Sequence, residues 1–163
     1  MLIHFIKGSS ERSSVLRCTR GDGTFTWTKI QPAIVFHDLA HYVVESQLKF
    51  TEGFYGLIAR GYNIGDFELP REVRPESLLP ANLPIQALQT EHIVNLLQVY
   101  SGTGSNTFDF LETLESILKE KQLPGPEELN DLNLTKIILL LDSLLNTWEQ
   151  LGPEETLELE FSI

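Results

Sequence analysis

The residues Thr156-Leu157-Glu158-Leu159-Glu160-Phe161-Ser162-Ile163 alternate polar and apolar without a break. Such alternation describes a strand with Leu157, Leu159, Phe161 and Ile163 towards a core and Glu158, Glu160 and Ser162 towards water. A strand must satisfy its backbone N–H and C=O groups through a ladder partner. The available partners lie at the far end of the chain, where Leu2 to Lys7, Ser14 to Arg20 and Thr24 to Ile30 are β-prone. The last two flank Gly21-Asp22-Gly23, whose Asp-Gly pair supplies the positive φ angles of a tight hairpin. In the third segment Phe25 and Trp27 share one face and Thr24, Thr26 and Thr28 the other, as in a strand with one buried side. The two ends of the sequence are thereby expected in one mainly antiparallel sheet.

Between these ends the pattern is helical. Pro32 suits a first helical turn, and Ala33 to Leu48 follows with helical spacing. A second helix is expected from Glu52 to Arg60, capped by Thr51 and stopped by Gly61. Prolines at 70, 75, 80 and 84 preclude a long helix between Asn63 and Pro84, which reads as a surface-wrapping connection. Ile85 to Tyr100 and Phe108 to Gln122, the latter capped by Asn106 or Thr107, form two more helices. A last one carries Leu134, Ile137, Ile138, Leu141, Leu144, Leu145 and Trp148 on one stripe and ends at Gly152-Pro153. The expected architecture is α+β: a small antiparallel sheet with about five helices packed on one face. At 163 residues the chain, 1–163, is read as a single domain.

Charge narrows the partners. Twelve basic residues against twenty-three acidic ones give a formal net charge of -11. That charge repels a phosphate backbone and an anionic membrane surface, so neither nucleic acid nor a membrane is expected as a partner, and a second copy of the chain stays open. Cys18 is the only cysteine, which excludes an internal disulfide and a Cys-rich zinc site and leaves a small buried hydrophobe. With no basic leader and no uninterrupted apolar run of about eighteen residues, the chain is expected to be soluble and cytoplasmic.

One constellation carries chemistry. At roughly 100° per residue, with His37 at 0°, His41 falls at about 40° and Glu45 at about 80°, a single narrow sector. Ile34, Ala40, Val44 and Leu48 border the same sector, whereas Asp38, Tyr42, Ser46 and Lys49 fall on the far side. Burying two imidazoles on an apolar stripe is unfavourable unless their ring nitrogens are satisfied. A shared divalent metal such as zinc would satisfy them, with His37, His41 and Glu45 as ligands and an open position for water. Asp38 or Glu52 would then serve as the acid-base group. Alternatively each ring is a core residue donating to a carbonyl or carboxylate.

His37-Asp38-Leu39-Ala40-His41 also resembles the His-Glu-x-x-His helix of metalloproteases, with aspartate in place of the glutamate base. Followed by Glu52 after ten intervening residues, it is similar to the His-Asp-x-x-His motif of a ubiquinone-biosynthesis scaffold family, which implies a zinc site. From Trp27 to Ile64 the chain resembles an uncharacterised bacterial family with a His-Asp-Leu-x-His helix and a Gly-Phe-x-Gly-Leu-like segment, here Gly53-Phe54-Tyr55-Gly56-Leu57. That resemblance implies a fold and no activity.

Other features read as structure. Gly102-x-Gly104 lacks the lysine and preceding strand of a phosphate loop. His92 lies on a polar helix face with Gln89 and Asn95. Two functions remain: a metal-dependent, hydrolase-like enzyme, or a non-catalytic interaction or structural module. Geometry separates them, because a metal site needs both rings and a carboxylate converging beside a cavity, whereas structural histidines are paired separately with no opening.

Overall fold

Strands β1 (Leu2–Ile6), β2 (Ser14–Thr19), β3 (Phe25–Ile30) and β4 (Thr156–Glu160) form one antiparallel sheet of order β3-β2-β1-β4 in the computed structural model, which describes residues 1–103 and 108–162. The C-terminal strand joins the N-terminal sheet as expected: Leu157 faces Phe5 across the ladder and Leu159 faces Ile3. All four side chains are buried, with Leu16 and Cys18 beside them. Phe161, just past β4, is buried too, and its backbone N–H donates to the Met1 carbonyl at 2.8 Å. Ile163, and the caps expected at Asn106 and Thr107, lie outside the described residues.

The β2–β3 hairpin turns through Gly23 at φ +85°, a conformation that disfavours any residue with a Cβ. In β3 the buried side is the threonine side. Thr26 and Ile30 are buried, whereas Phe25 and Trp27 are about half exposed on the outer face of the sheet. The register explains this choice: Thr26 and Thr28 pair with Cys18 and Leu16, which already point into the core, so Phe25 and Trp27 must point out. Arg17 covers Phe25, its guanidinium 4.3 Å from the ring centroid.

Five helices among the described residues complete the α+β fold: α1 (Pro32–Leu48), α2 (Phe54–Ala59), α3 (Ile85–Thr103), α4 (Phe110–Glu120) and α5 (Asp131–Gln150). Helix α1 packs against α2, α3 and α5, so it has little wet surface. Asp38, expected on the far side from the histidines, is instead buried with its carboxylate beside His37, and Ile34, on the histidine side, is 45% exposed. Helix α5 buries Leu134, Ile137 and Leu141, and its last carbonyls, Trp148 and Glu149, accept from the Lys7 ammonium.

Two helix starts differ from expectation for identifiable reasons. Helix α2 begins at Phe54, with Gly53 and not Thr51 at its N-cap position. Its first N–H groups, those of Tyr55 and Gly56, donate to Glu45 Oε2 at 3.0 and 3.1 Å, so a carboxylate from another helix does the capping. The N–H groups of Thr51 and Glu52 are held by Gln86 Oε1 of α3 instead. Helix α4 begins at Phe110, where the Asp109 side chain accepts from the Glu112 N–H. The proline-rich connection contains two 3-10 turns, Ile64–Phe67 and Glu76–Leu78, which bury Ile64 and Leu78. None of the helices is long and apolar enough to cross a membrane among the described residues.

Candidate metal centre

Helix α1 sets His37 and His41 one turn apart, with ring centroids 4.6 Å from each other. Helix α3 brings Glu91 opposite them. Its carboxylate reaches both rings at their Nε2 atoms, 3.8 Å from His37 and 3.4 Å from His41. One ligand-type atom from each of the three residues lies within 4.8 Å of the others, the only such group among the described residues. Two imidazole nitrogens and a carboxylate at this separation match the donors of open zinc and non-haem iron sites.

Behind each ring stands a second carboxylate. His41 Nδ1 lies 3.4 Å from Glu45 Oε1, and His37 Nδ1 lies 3.6 Å from Asp38 Oδ1. At His41, where the carboxylate is within hydrogen-bond reach, a proton on Nδ1 is favoured and Nε2 is left as the free nitrogen, the arrangement by which metal-binding histidines are oriented; the 3.6 Å at His37 is an electrostatic contact only. Glu45, expected as a ligand, thus sits on the far side of His41 from Glu91. Its carboxylate is fully buried, one oxygen towards His41 and the other capping α2. Gly53 is what lets α2 approach this closely, since a Cβ there would lie 2.4 Å from the Glu45 carboxyl carbon. Glu52, expected as an acid-base group, pairs with Arg60 at 3.0 Å and is not among the residues around the histidines.

The three converging residues open into a cavity of about 490 Å³ between the β3 end of the sheet and the helices. Its walls include Ile30, Ile34, Phe54, Ile64 and Phe67, with Thr28, Lys29, Gln31 and Glu68 as polar groups. A volume of this order suits a small molecule. The larger hollow beside α4, about 680 Å³, is lined by Leu111, Leu114, Leu118 and Leu129 and brings no cluster of ligating side chains together among the described residues.

Electrostatics bind the cluster in the metal-free state. Asp38 and then Glu91 lift the His37 imidazole to about 9, against a weaker opposing effect of burial. Burial pushes His41 down most strongly, but Glu45 and Glu91 together carry it above its ordinary value. Glu91 is pushed up by burial, yet the two imidazoles hold it well below the usual carboxylate range. Burial raises Glu45, opposed by His41 and the two N–H donors. Elsewhere, burial pushes the Cys18 thiol up to about 12, in keeping with an inert core residue.

The residue that sequence reasoning missed is Glu91. It lies fifty residues beyond His41, on another helix, so no local spacing links it to the pair. The available signal was its position between Ala87 and Val94, four and three residues away on the buried stripe of α3. Its neighbour His92 is not part of the cluster. No protein-family model matches the chain, and comparison with curated proteins and with solved structures finds no match.

Proposed function

We propose that this protein binds one divalent transition-metal ion through His37 Nε2, His41 Nε2 and the Glu91 carboxylate. We further propose that the ion's free face, turned to the cavity, does Lewis-acid chemistry of the hydrolytic kind on a small molecule in the cytoplasm. The observation that carries this reading is the double-sided pairing of the histidines. Each has its Nδ1 towards a carboxylate behind it and its Nε2 towards Glu91 at a cavity wall. Purely structural histidines have no need of a shared, half-exposed carboxylate at an opening. The bound ion would supply an acidified water or polarise a carbonyl. This chain's own residues orient the rings, keep the His41 Nδ1 proton in place and line an apolar chamber around the reacting atoms.

The test is titration of metal-free protein, purified without a metal-binding tag. One equivalent of zinc is expected to bind, and at about a hundredfold excess over Kd it adds ~2.7 kcal/mol of stability. In a chain of this size that is a rise in Tm of roughly 5–10 °C. His41→Ala and Glu91→Ala should each abolish the rise, and Glu52→Ala should keep it. Absence of binding by zinc, manganese, iron and nickel at micromolar concentration would overturn the reading.

The same cluster predicts opposite pH trends with and without metal. A folded-state imidazole raised to about 9 contributes stability that is fully present below the unfolded value near 6.5 and is lost as pH rises towards 9. The Tm of the chelator-treated protein should therefore fall across this window. Metal requires neutral imidazoles, so stabilisation by a fixed zinc concentration should grow over the same range. Parallel curves in chelator and in zinc would contradict the assignment of these histidines as ligands.

A further inference from the structure

We infer that the free edge of β3 is an interaction surface for a second copy of this chain. The two β3 strands pair antiparallel about a two-fold axis at Trp27 and join the two sheets into one.

The hydrogen-bond pattern leaves that edge open. At the hairpin the Arg20 N–H donates to the Thr24 carbonyl at 2.8 Å, and ladder bonds then recur at every second pair, Cys18 with Thr26, Leu16 with Thr28 and Ser14 with Ile30. The N–H and C=O groups of Phe25, Trp27 and Lys29 therefore point away from β2, and β3 is the outermost strand. Among the described residues no hydrogen bond engages those groups. The opposite edge of the sheet is guarded. The Lys7 N–H donates to Glu155 and the Phe161 N–H to Met1, so on β4 the outward groups are those of Thr156, Glu158 and Glu160. The two glutamates repel a further copy of β4, and the Glu160 carbonyl already accepts from the Tyr42 hydroxyl at 3.2 Å.

The β3 edge is complementary to itself. With Trp27 opposite Trp27 of the second copy, Phe25 falls opposite Lys29 and Lys29 opposite Phe25. Each free N–H then meets a free carbonyl, whereas a shift of register by two residues leaves some of them unpaired. The side chains agree with that register. Phe25 and Trp27, 51% and 55% exposed, stand on the outer face of the sheet together with Lys29. Across the axis the two indole rings become neighbours, on Cα atoms about 5.5 Å apart. Each Lys29 ammonium comes beside a Phe25 ring, whose π face already attracts the Arg17 guanidinium of its own chain. A contact one strand long is small, so the dimer forms reversibly.

Sedimentation velocity of the full chain between about 20 μM and about 1 mM should show a monomer giving way to a dimer and to nothing larger. Over the same range, amide exchange followed by NMR should slow at least about threefold at Phe25, Trp27 and Lys29 and stay unchanged at Glu158. Trp27→Glu, at an exposed position paired with Arg17, should keep the wild-type circular dichroism spectrum. It sets like charges directly opposite across the axis and should weaken dimerisation at least about tenfold. A wild type that stays monomeric at about 1 mM overturns the inference, as does growth beyond the dimer, the mark of β3 pairing with β4 of the next copy. So does a dimer whose three amides exchange as in the monomer, or a folded Trp27→Glu chain that dimerises as tightly as the wild type. Should that variant fail to fold, amide exchange in the wild type decides.

Discussion

A chain lacking residues 155–163 is expected not to fold cooperatively. The deletion removes Leu157, Leu159 and Phe161 from the core, where they are 8%, 9% and 1% exposed. Loss of a buried apolar side chain of this size costs ~2–5 kcal/mol, so three together rival the ~5–15 kcal/mol that holds a typical domain together. The deletion also strips the ladder partner from one side of β1, the strand on which the sheet is built. Thermal or urea unfolding followed by circular dichroism measures the effect. A truncated chain with the Tm of the full one would mean that β4 does not hold the sheet together.

Glu45→Ala is expected to produce the largest effect of any single substitution at the site, ~3–5 kcal/mol of lost stability. It leaves a void, a buried His41 imidazole with no partner at Nδ1 and two unsatisfied N–H groups at the start of α2. Glu45→Gln separates that structural role from tuning of the metal. Its amide oxygen can still accept from Tyr55 and Gly56, while its N–H₂ faces His41 Nδ1 and donates to it. The ring proton is then forced onto Nε2, the atom that should bind the ion. Stability should be largely retained, and metal affinity should drop about 10- to 100-fold. Equal zinc affinity for Glu45→Gln and wild type, by calorimetry, would remove Glu45 from the metal site altogether.

What the sequence makes legible follows the range of each interaction. The alternation around Leu157 and the Asp-Gly turn report local geometry, and they fix the sheet and its membership. The His37, His41 and Glu45 sector is legible because one helix carries all three. Which of two flanking carboxylates faces His41 Nε2 depends on how α3 crosses α1, and no spacing within α1 encodes that. The start of α2 was misread for the same reason, since its cap comes from Glu45 and not from Thr51. In β3 the aromatic face is the more apolar one, yet pairing with Cys18 and Leu16 turns Thr26 and Thr28 inward. A neighbour's register overrode the strand's own pattern.

The strand order has a bearing on how the molecule comes into being. β1 meets β2 almost at once, with Leu2 opposite Thr19, but its other edge waits for β4, where Leu2 meets Glu160. Contacts so distant along the chain slow folding. At about 5–20 residues per second, roughly 10–30 s of synthesis separate the appearance of β1 from that of its partner. Throughout that interval an apolar strand carries an unpaired edge, the kind that templates aggregation. Crowded translation at high expression should therefore load the insoluble fraction with chains whose last strand has yet to arrive, whatever the stability of the finished fold.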